Sequence, residues 1–203
     1  SDRGAHYAQA VEHLRAEGRV YGCGCTRREI EAASGGGSEV NELRYPGTCR
    51  DRGLPLDDAH GWRLRLPDDA VTFDDARHGV TTQTPAAQCG DLLLRDRLGN
   101  WTYQFAVTVD DALHGIDLVV RGDDLFASTG RQIQLARLLG RDTPPVFLHH
   151  ALVMKSPAQK LSKSDGDTGV RDLRAAGWTP ARVIGHAAHL ADLTASERET
   201  VAA

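Results

Sequence analysis

The pattern of the chain changes near residue 90, and this change constrains the fold more than any other feature of the sequence. Between about residues 22 and 90 the chain has short strand candidates, many turns and all four cysteines. In the second half, strand and helix candidates alternate, which favours a layered α/β architecture. With 203 residues, the chain can form one large domain or one domain with an inserted subdomain.

The composition excludes some classes of function. The chain is 40% apolar and 26% charged, as is ordinary for a soluble globular protein, and no apolar run approaches the length of a membrane span. Because the net charge is -4, a nucleic-acid partner would be held by local patches and not by a general basic field. The four cysteines do not resemble the disulfide framework of a small secreted protein, so a cytoplasmic location is expected.

Helical periodicity and capping signals predict the helices. They are expected over residues 4–17, from Thr26 to about Ala33, over about 128–139, from Thr179-Pro180, and from Ser196. Thr26 and Ser196 are each followed by a glutamate three residues later, which is the form of a capping box.

Alternating and apolar runs predict the strands. Candidates are residues 20–21, 62–66, 71–73, 79–82, 116–120, 146–148 and 151–154, with a hairpin formed by 91–95 and 101–107. The run 116–120 is apolar enough for a buried strand. In 62–66, strict alternation places Arg63 and Arg65 opposite Leu64, where a solvated face is slightly favoured over a contact with phosphate.

The lysines are confined to one short window. The chain has 24 lysines and arginines, yet its lysines are Lys155, Lys160 and Lys163 alone. A compact, mobile ammonium group that reaches a phosphate is a task in which lysine differs from arginine. Serine, glycine and aspartate surround this window, so it is predicted to be a flexible loop that closes over a nucleotide. The alternative is an ordinary surface loop.

Three cysteines have spacing that suits a metal. Cys23 and Cys25 are one residue apart, and Cys49 follows on a later loop, so three thiolates can converge on a tetrahedral zinc ion. The fourth ligand is open from the residues alone: Cys89, His60 and Tyr45 are candidates. The alternative is a set of reduced structural thiols, and Cys89 by itself is expected to be a buried free thiol.

Two further residues lie where open α/β sheets bind ligands. Tyr103 is on a strand candidate, and Arg121 leaves one and could hold a carboxylate with two hydrogen bonds. From the residues alone, a structural ion pair of Arg121 with Asp123 or Asp124 is favoured. Asp110-Asp111 could bind a ligand or cap a turn.

The order of these segments carries a resemblance that covers nearly the whole chain. In sequence they are Cys23–Ile30, Tyr45 with Cys49, Tyr103–Asp111, Val120–Leu125, Thr129–Ile133 and Lys160–Ser164. This series resembles the class I glutamyl-type aminoacyl-tRNA synthetases. The last segment is similar to their Lys-Met-Ser-Lys-Ser signature, with Leu161 in place of methionine.

Within that family the chain is most similar to the glutamyl-queuosine branch, the shortened paralogues of glutamyl-tRNA synthetase. The cysteine segment with Tyr45 and Cys49 resembles the zinc site of that branch, in which a tyrosine is the fourth ligand. The chain also ends about 40 residues beyond the lysine window, so a C-terminal anticodon-binding domain is not expected.

The resemblance implies a fold and a division of the chain. It implies an α/β class I synthetase fold, with a Rossmann-type nucleotide-binding domain that holds an inserted small zinc-containing α+β subdomain. The expected segments are 1–21 and 99–154 for the catalytic domain, 22–98 for the insertion, and 155–203 for the signature loop and C-terminal helices. The family's His-Ile-Gly-His-type signature would precede Ser1. We therefore expect a further N-terminal segment in the natural protein, and this chain alone is expected to be incomplete for activity.

The resemblance also implies the site residues. One structural zinc ion would be held by Cys23, Cys25, Tyr45 and Cys49. L-Glutamate would be bound by Tyr103 and Arg121. Lys160 and Lys163 would be catalytic, and Ser162, Lys163 and Ser164 would contact ATP, with Mg²⁺ bound to the nucleotide.

The implied reaction is the ATP-dependent, tRNA-independent activation of L-glutamate. The glutamate would then pass to the queuosine base in the anticodon stem-loop of tRNA(Asp), and the protein is expected to act as a monomer. Two alternatives stay open: a fragment of a glutamyl-tRNA synthetase that charges tRNA(Glu), and a non-catalytic zinc-containing RNA-binding module.

Overall fold

The computed structural model describes residues 3–34, 43–156, 159–160, 169–191 and 194. For residues 155–156 and 159–160 it describes the backbone alone. The signature residues 161–164 and the predicted helix from Ser196 lie outside the described residues.

The described part of the chain contains both helices and strands, as expected for an α/β protein. The helices are α1 Gly4–Ala16, α2 Arg27–Ala33, α3 Pro85–Cys89, α4 Tyr103–Leu113, α5 Thr129–Leu138, α6 Val170–Ala175 and α7 Pro180–Leu190, with a 3-10 turn at Asp123–Ser128. The strands are β1 Val20–Cys23, β2 Gly61–Leu64, β3 Val71–Asp75, β4 Gly79–Gln83, β5 Leu92–Arg95, β6 Leu118–Gly122, β7 Val146–His150, β8 Met154–Ser156 and β9 Gln159–Lys160.

The chain divides into two compact units. The first contains Ser1–Val119 and Ala127–Phe147, and the second contains Val120–Phe126 and Leu148–Ala203. These boundaries are not those of the four segments expected from the family, and that division stays a prediction.

The strands form three sheets. Strands β1, β2 and β5 make an antiparallel sheet in that order, and β8 pairs antiparallel with β9. The third sheet is mixed, with the order β4-β3-β7-β6: β3 and β4 form an antiparallel hairpin, and β3 runs parallel to β7. The mixed sheet, and the helices that follow its strands along the chain, confirm the α/β class.

A single apolar cluster joins α1 to the first sheet and to three later helices. Tyr7, Val11 and Leu14 recur at helical spacing on α1 and are buried. Their neighbours in the cluster are Leu64, Leu66, Ala86, Cys89, Leu92, Leu94, Phe105, Val109 and Leu135. The helix predicted over 4–17 is thus confirmed, and its buried stripe anchors it to the core.

The residues predicted to form the second strand of a hairpin are instead helical. Trp101 makes one bridge with Arg95, and helix α4 then begins at Tyr103. Phe105 and Val109 are four residues apart, so a helix places both on the face that enters the core. A short run of aromatic and branched residues does not distinguish a strand from a helix, and here tertiary packing selects the helix.

Two other strand predictions need correction. The run 116–120 was expected to be buried, but Leu118 is 53% and Val120 is 58% exposed. Strand β6 lies at the edge of its sheet, which explains part of this exposure. Residues 151–153 are not in a strand, because β8 begins only at Met154.

The capping predictions are confirmed where the chain is described. The Thr26 hydroxyl accepts from the backbone N–H of Glu29, and the Glu29 carboxylate accepts from the backbone N–H of Thr26. At α7 the Thr179 hydroxyl accepts from the backbone N–H of Arg182. No helix among the described residues is long and apolar enough to cross a bilayer.

Candidate metal centre and substrate-binding residues

Three thiols converge in the first unit. Cys23 ends strand β1, Cys25 directly precedes the N-cap of α2, and Cys49 lies in a turn. Their sulfur atoms all lie within 4.8 Å of one another, and the Sγ atoms of Cys25 and Cys49 are 3.5 Å apart. None of the three forms a disulfide. We call these residues, together with Tyr45, the cysteine cluster.

The phenol of Tyr45 reaches the thiols. Its oxygen accepts a hydrogen bond of 2.8 Å from the backbone N–H of Cys49 and lies 3.4 Å from the sulfur of Cys23. The other two candidates for a fourth ligand have different partners. The thiol of Cys89 donates to the carbonyl of Pro85, and the ring of His60 pairs with Asp57 at 2.7 Å.

The donor set has the dimensions of a tetrahedral zinc site. Zinc–sulfur bonds of about 2.3 Å place two tetrahedral thiolates about 3.8 Å apart, and an oxygen ligand lies about 3.5 Å from a sulfur. The spacings of 3.5 Å between sulfurs and 3.4 Å between the Tyr45 oxygen and Cys23 are close to these values. Two of the donor spacings thus match a four-coordinate zinc site, and the three sulfurs all lie within 4.8 Å of one another.

Local backbone features bring these side chains together. Gly90 has a positive φ of 68° and forms a bridge with Tyr45. A side chain at Gly90 would overlap the backbone carbonyl of Tyr45. Glycine is therefore required there on two grounds, because only glycine adopts this conformation without strain and only glycine leaves room for Tyr45.

A buried aspartate ties the surrounding segments together. The carboxylate of Asp91 accepts hydrogen bonds from Arg50 at 2.7 and 2.5 Å, from the Tyr21 hydroxyl at 2.6 Å, and from the backbone N–H of Leu66. Tyr21 is two residues before Cys23, and Arg50 directly follows Cys49. Burial would raise the pKa of Asp91, but the hydrogen bonds from Arg50 and Tyr21 hold that pKa below its usual value.

The solvated face predicted for Arg63 is wrong. Its side chain is buried, donates 2.8 Å to the backbone carbonyl of Asp91, and lies over the ring of Tyr45 at 3.7 Å from the centroid. Arg65 fits the prediction better, because it is partly exposed and pairs with the exposed Asp51 at 2.9 Å. Alternation in a strand distinguishes two faces, but it does not show that the second face is covered by another loop.

The thiols of Cys25 and Cys49 differ in their affinity for protons. Burial and the hydrogen bond shared with Cys49 raise the pKa of Cys25 to about 12. For Cys49, burial also opposes ionisation, but hydrogen bonds from the Gly24 backbone and from neighbouring side chains outweigh it and lower the pKa to about 7. Of these two sulfurs, Cys49 is the better placed to be a thiolate at neutral pH.

Tyr103 and Arg121 are placed on separate elements. Tyr103 is the first residue of α4 and is 54% exposed. Arg121 lies near the end of β6, and its Nε donates 2.9 Å to Nε2 of the buried His149. Because the guanidinium is always protonated, Nε2 must be the unprotonated nitrogen of that imidazole.

Asp110, for which binding a ligand and capping a turn were both open, makes contacts within the protein. Asp110 accepts from the Tyr7 hydroxyl at 3.0 Å and pairs with Arg3 at 2.8 Å, so it joins α4 to the beginning of the chain.

The lysine window is described only in part: the backbone of Lys160 pairs with that of Met154 in the β8–β9 hairpin. Ser162, Lys163 and Ser164 lie outside the described residues.

The comparisons with known proteins give the family. Residues 1–201 match the family described as tRNA synthetases class I (E and Q), catalytic domain. The chain therefore belongs to the class I tRNA synthetases of the E and Q type. Its similarity to two solved glutamate–tRNA ligases from Elizabethkingia shows the same fold. The structure from E. anophelis has a TM-score of 0.71 at 23% identity over 98% of this chain and 48% of that one. The structure from E. meningosepticum has a TM-score of 0.69 at 22% identity over 91% and 43%.

Among sequences, the chain is similar to proteins named Glutamyl-Q tRNA(Asp) synthetase. It is 49% identical to that of Burkholderia cenocepacia over 174 residues, which is 84% of this chain and 58% of that protein. It is 50% identical to that of Bordetella bronchiseptica over 171 residues, which is 82% of this chain and 53% of that protein. The chain thus spans a little over half the length of these relatives.

Proposed function

We propose that the natural protein activates L-glutamate with ATP, without tRNA, and transfers it to the queuosine base at the wobble position of tRNA(Asp). The observation that carries this proposal is the identity of about half the residues with proteins named Glutamyl-Q tRNA(Asp) synthetase. Membership of the class I synthetases supports the use of ATP. The reaction would take place in the cytoplasm, and the protein would act as a monomer.

The proposed site has a structural and a reactive part. Cys23, Cys25, Tyr45 and Cys49 would hold one zinc ion, which would stabilise the loops of the first unit. This ion would have four protein ligands, and a closed zinc site of that kind is structural and leaves no open position for catalysis.

The reactive part would be formed by residues of the signature and by the two glutamate-binding residues. Arg121 would hold a carboxylate of glutamate, and the hydroxyl of Tyr103 would hydrogen-bond to the substrate. A carboxylate oxygen of glutamate attacks the α-phosphorus of ATP, and pyrophosphate leaves. Lys160 and Lys163 would stabilise the charge that develops on the phosphates, and Ser162 and Ser164 would contact ATP. Mg²⁺ would add positive charge at the same phosphates.

The second step would transfer the glutamyl group from the adenylate to RNA, and AMP would leave. With a net charge of -4, the protein would hold one stem-loop through local arginines and not through a general basic surface. Single-stranded loops with unstacked bases are the usual targets of sequence-specific RNA recognition.

The charging of tRNA(Glu) is the second candidate, because solved glutamate–tRNA ligases share the fold. Identity of 22–23% with those structures shows the fold alone. The two functions differ in the RNA and in the position that receives glutamate, so one assay separates them.

The test uses the full-length gene product that contains this chain. Radiolabelled glutamate and ATP are incubated with tRNA(Asp) carrying queuosine, with the same tRNA lacking queuosine, and with tRNA(Glu). We expect label on the first alone, and ATP–pyrophosphate exchange with glutamate in the absence of any tRNA. Label on tRNA(Glu) would favour the second candidate. Binding of RNA with neither exchange nor transfer would favour a non-catalytic module.

A further inference from the structure

Arg63 is buried in an unusual way for an arginine. Its side chain lies on β2, and the residue is only 8% exposed. The guanidinium carbon is 3.7 Å from the centroid of the Tyr45 ring, which is the distance of direct stacking. One terminal nitrogen donates to the Asp91 carbonyl at 2.8 Å, and Nε has no hydrogen-bond partner among the described residues. The stacking on Tyr45 is thus a principal contact of this buried cation.

The position of Arg63 is itself fixed. The carbonyl that it contacts belongs to Asp91, whose carboxylate is held by Arg50, Tyr21 and the backbone of Leu66. Asp91 cannot shift without breaking these buried hydrogen bonds. The contacts therefore run in an unbroken series from a fixed aspartate, through Arg63, to the face of the Tyr45 ring.

The Tyr45 oxygen needs such support. A tyrosine side chain can rotate about two bonds, and a phenol that binds a metal must be held at one orientation. The backbone N–H of Cys49 fixes the oxygen from one direction at 2.8 Å. The guanidinium fixes the plane of the ring. Groups in this relation to a ligand commonly change metal affinity by about 10- to 100-fold when they are removed.

The charge of the proposed metal site also favours a cation beside the Tyr45 ring. Three thiolates around a divalent cation leave a net negative charge in a mostly buried cluster, before the phenol is counted. A buried cation in contact with the ring of the fourth ligand offsets part of this charge. Arg52 contributes from another side, because its guanidinium lies 3.9 Å from the sulfur of Cys49.

We propose that Arg63 is a positioning residue of the metal centre, which holds the Tyr45 phenol in the coordination sphere of zinc. This inference rests on the zinc site of the proposed function. It goes beyond that site because it assigns to Arg63 a role in metal affinity that acts through one ligand.

A double-mutant cycle on zinc affinity tests the proposal. The full-length protein, Arg63→Met, Tyr45→Phe and the double variant are titrated with zinc in competition with a chromophoric chelator. We expect Arg63→Met to weaken zinc binding by about 10- to 100-fold. We expect the double variant to bind no more weakly than Tyr45→Phe, because Arg63 then has no ligand left to position. Arg65→Met is the matched control, since Arg65 lies 5.2 Å from the ring of Tyr21, which is not a ligand.

Cobalt absorption separates positioning from a general loss of folding. Co²⁺ at the site reports the donor set through its charge-transfer and d–d bands. We expect the spectrum of Arg63→Met to match that of Tyr45→Phe, and that of Arg65→Met to match the unchanged protein. A variant that is merely less stable would bind less cobalt but keep the original spectrum, and that result would overturn the proposal.

The remaining outcomes are also decisive. Arg63→Met could weaken zinc binding by the same factor in the unchanged protein and in Tyr45→Phe. That result would show that Arg63 does not act through Tyr45, and it would overturn the inference without contradicting the zinc site. If Tyr45→Phe bound zinc as tightly as the unchanged protein, Tyr45 would not be a ligand and the inference would fail with it. If the unchanged protein bound no zinc, the proposed metal site itself would be wrong.

Discussion

The cysteine cluster and the residues predicted to bind substrate are held in opposite ways. Tyr45, Cys23 and Cys49 are buried, and each contacts another member of the cluster. Tyr103, in contrast, is more than half exposed at the first position of a helix. Arg121 is partly exposed, and its Nε donates to Nε2 of His149.

This difference is the one that the proposed roles of the two groups require. A structural metal site gains affinity when its ligands are already in place, because no conformational entropy is then lost on binding. A residue that binds a transient substrate must stay open to solvent and exchange water for substrate. We therefore expect removal of a cluster residue to change stability and metal content, and removal of a substrate residue to change kinetics alone.

The largest expected effect is the loss of metal. Cys49→Ala should reduce the zinc content from about one ion per chain to nearly none. The cluster would then offer only three of the four ligands that a closed structural zinc site needs. The metal-linked part of stability, which is of the order of 10 kcal/mol for structural zinc, would be lost with it. Elemental analysis of the purified protein measures the content. Cys89→Ala, which removes a buried thiol bonded to Pro85, should keep the zinc; equal loss in both variants would contradict the assigned ligand set.

The next effect concerns catalysis. Lys163→Ala should cost roughly 2–4 kcal/mol of transition-state stabilisation, which is about 30- to 900-fold in the rate of ATP–pyrophosphate exchange. Its stability and zinc content should be unchanged. Lys155→Ala is the control, because Lys155 lies in the same window but outside the five-residue signature. Undiminished exchange in Lys163→Ala would exclude the proposed role.

A smaller kinetic effect is expected at the glutamate site. Arg121→Ala should raise KM for glutamate by about 10- to 150-fold, since a hydrogen bond to a charged group contributes about 1.5–3 kcal/mol. KM for ATP should hardly change. Steady-state exchange measured against both substrates separates these values, and an equal rise in the two would instead indicate a general disturbance of the fold.

The effect on stability at Asp91 should be smaller still. Asp91→Asn keeps the shape of the side chain but removes the charge that faces Arg50. Because Arg50 keeps 36% of its side chain exposed, we expect a loss of about 1–2 kcal/mol, below that of a fully buried pair. Urea unfolding measures it. Asp51→Asn should change little, because the Asp51 side chain is 84% exposed; a comparable loss there would mean that burial is not the cause.

The smallest effect is the dependence of that loss on pH. The pKa of Asp91 is lower in the folded protein than in the unfolded chain. Its carboxylate therefore contributes stability above the unfolded value near pH 4, and this contribution is lost as the pH falls through the lower folded value. The difference between the unchanged protein and Asp91→Asn should shrink as the pH falls below the unfolded value of about 4. A constant difference would show that the charge of Asp91 is not what stabilises the fold.

The sequence predicted those features that depend on neighbouring residues. The capping box at Thr26 and the helix that begins at Pro180 are local, and the structure confirms both. The convergence of Cys23, Cys25 and Cys49 was also predictable, because few residue types bind zinc and their spacing is recognisable.

Features that depend on distant segments were not predictable. Residues 103–107 form a helix because Phe105 and Val109 enter a core built largely by other segments. Arg63 is buried because the loop with Tyr45 covers its face of the sheet. Asp91 has no pattern that marks it, since a single aspartate before an apolar strand is common. In each case the deciding contact joins residues that are far apart in sequence, so the local sequence pattern cannot predict it.

Gly90 shows how a position without a functional group can limit what a protein tolerates. Its backbone conformation and its approach to Tyr45 allow no side chain. If every position were substituted in turn, Gly90 should be about as sensitive to substitution as the cysteines. It has no reactive group, so a search for catalytic or metal-binding side chains would not identify it. Relatives that keep a tyrosine at this position should therefore also keep a glycine facing it, and a chain that lost this glycine would have to rebuild the loop before the tyrosine could reach the thiols.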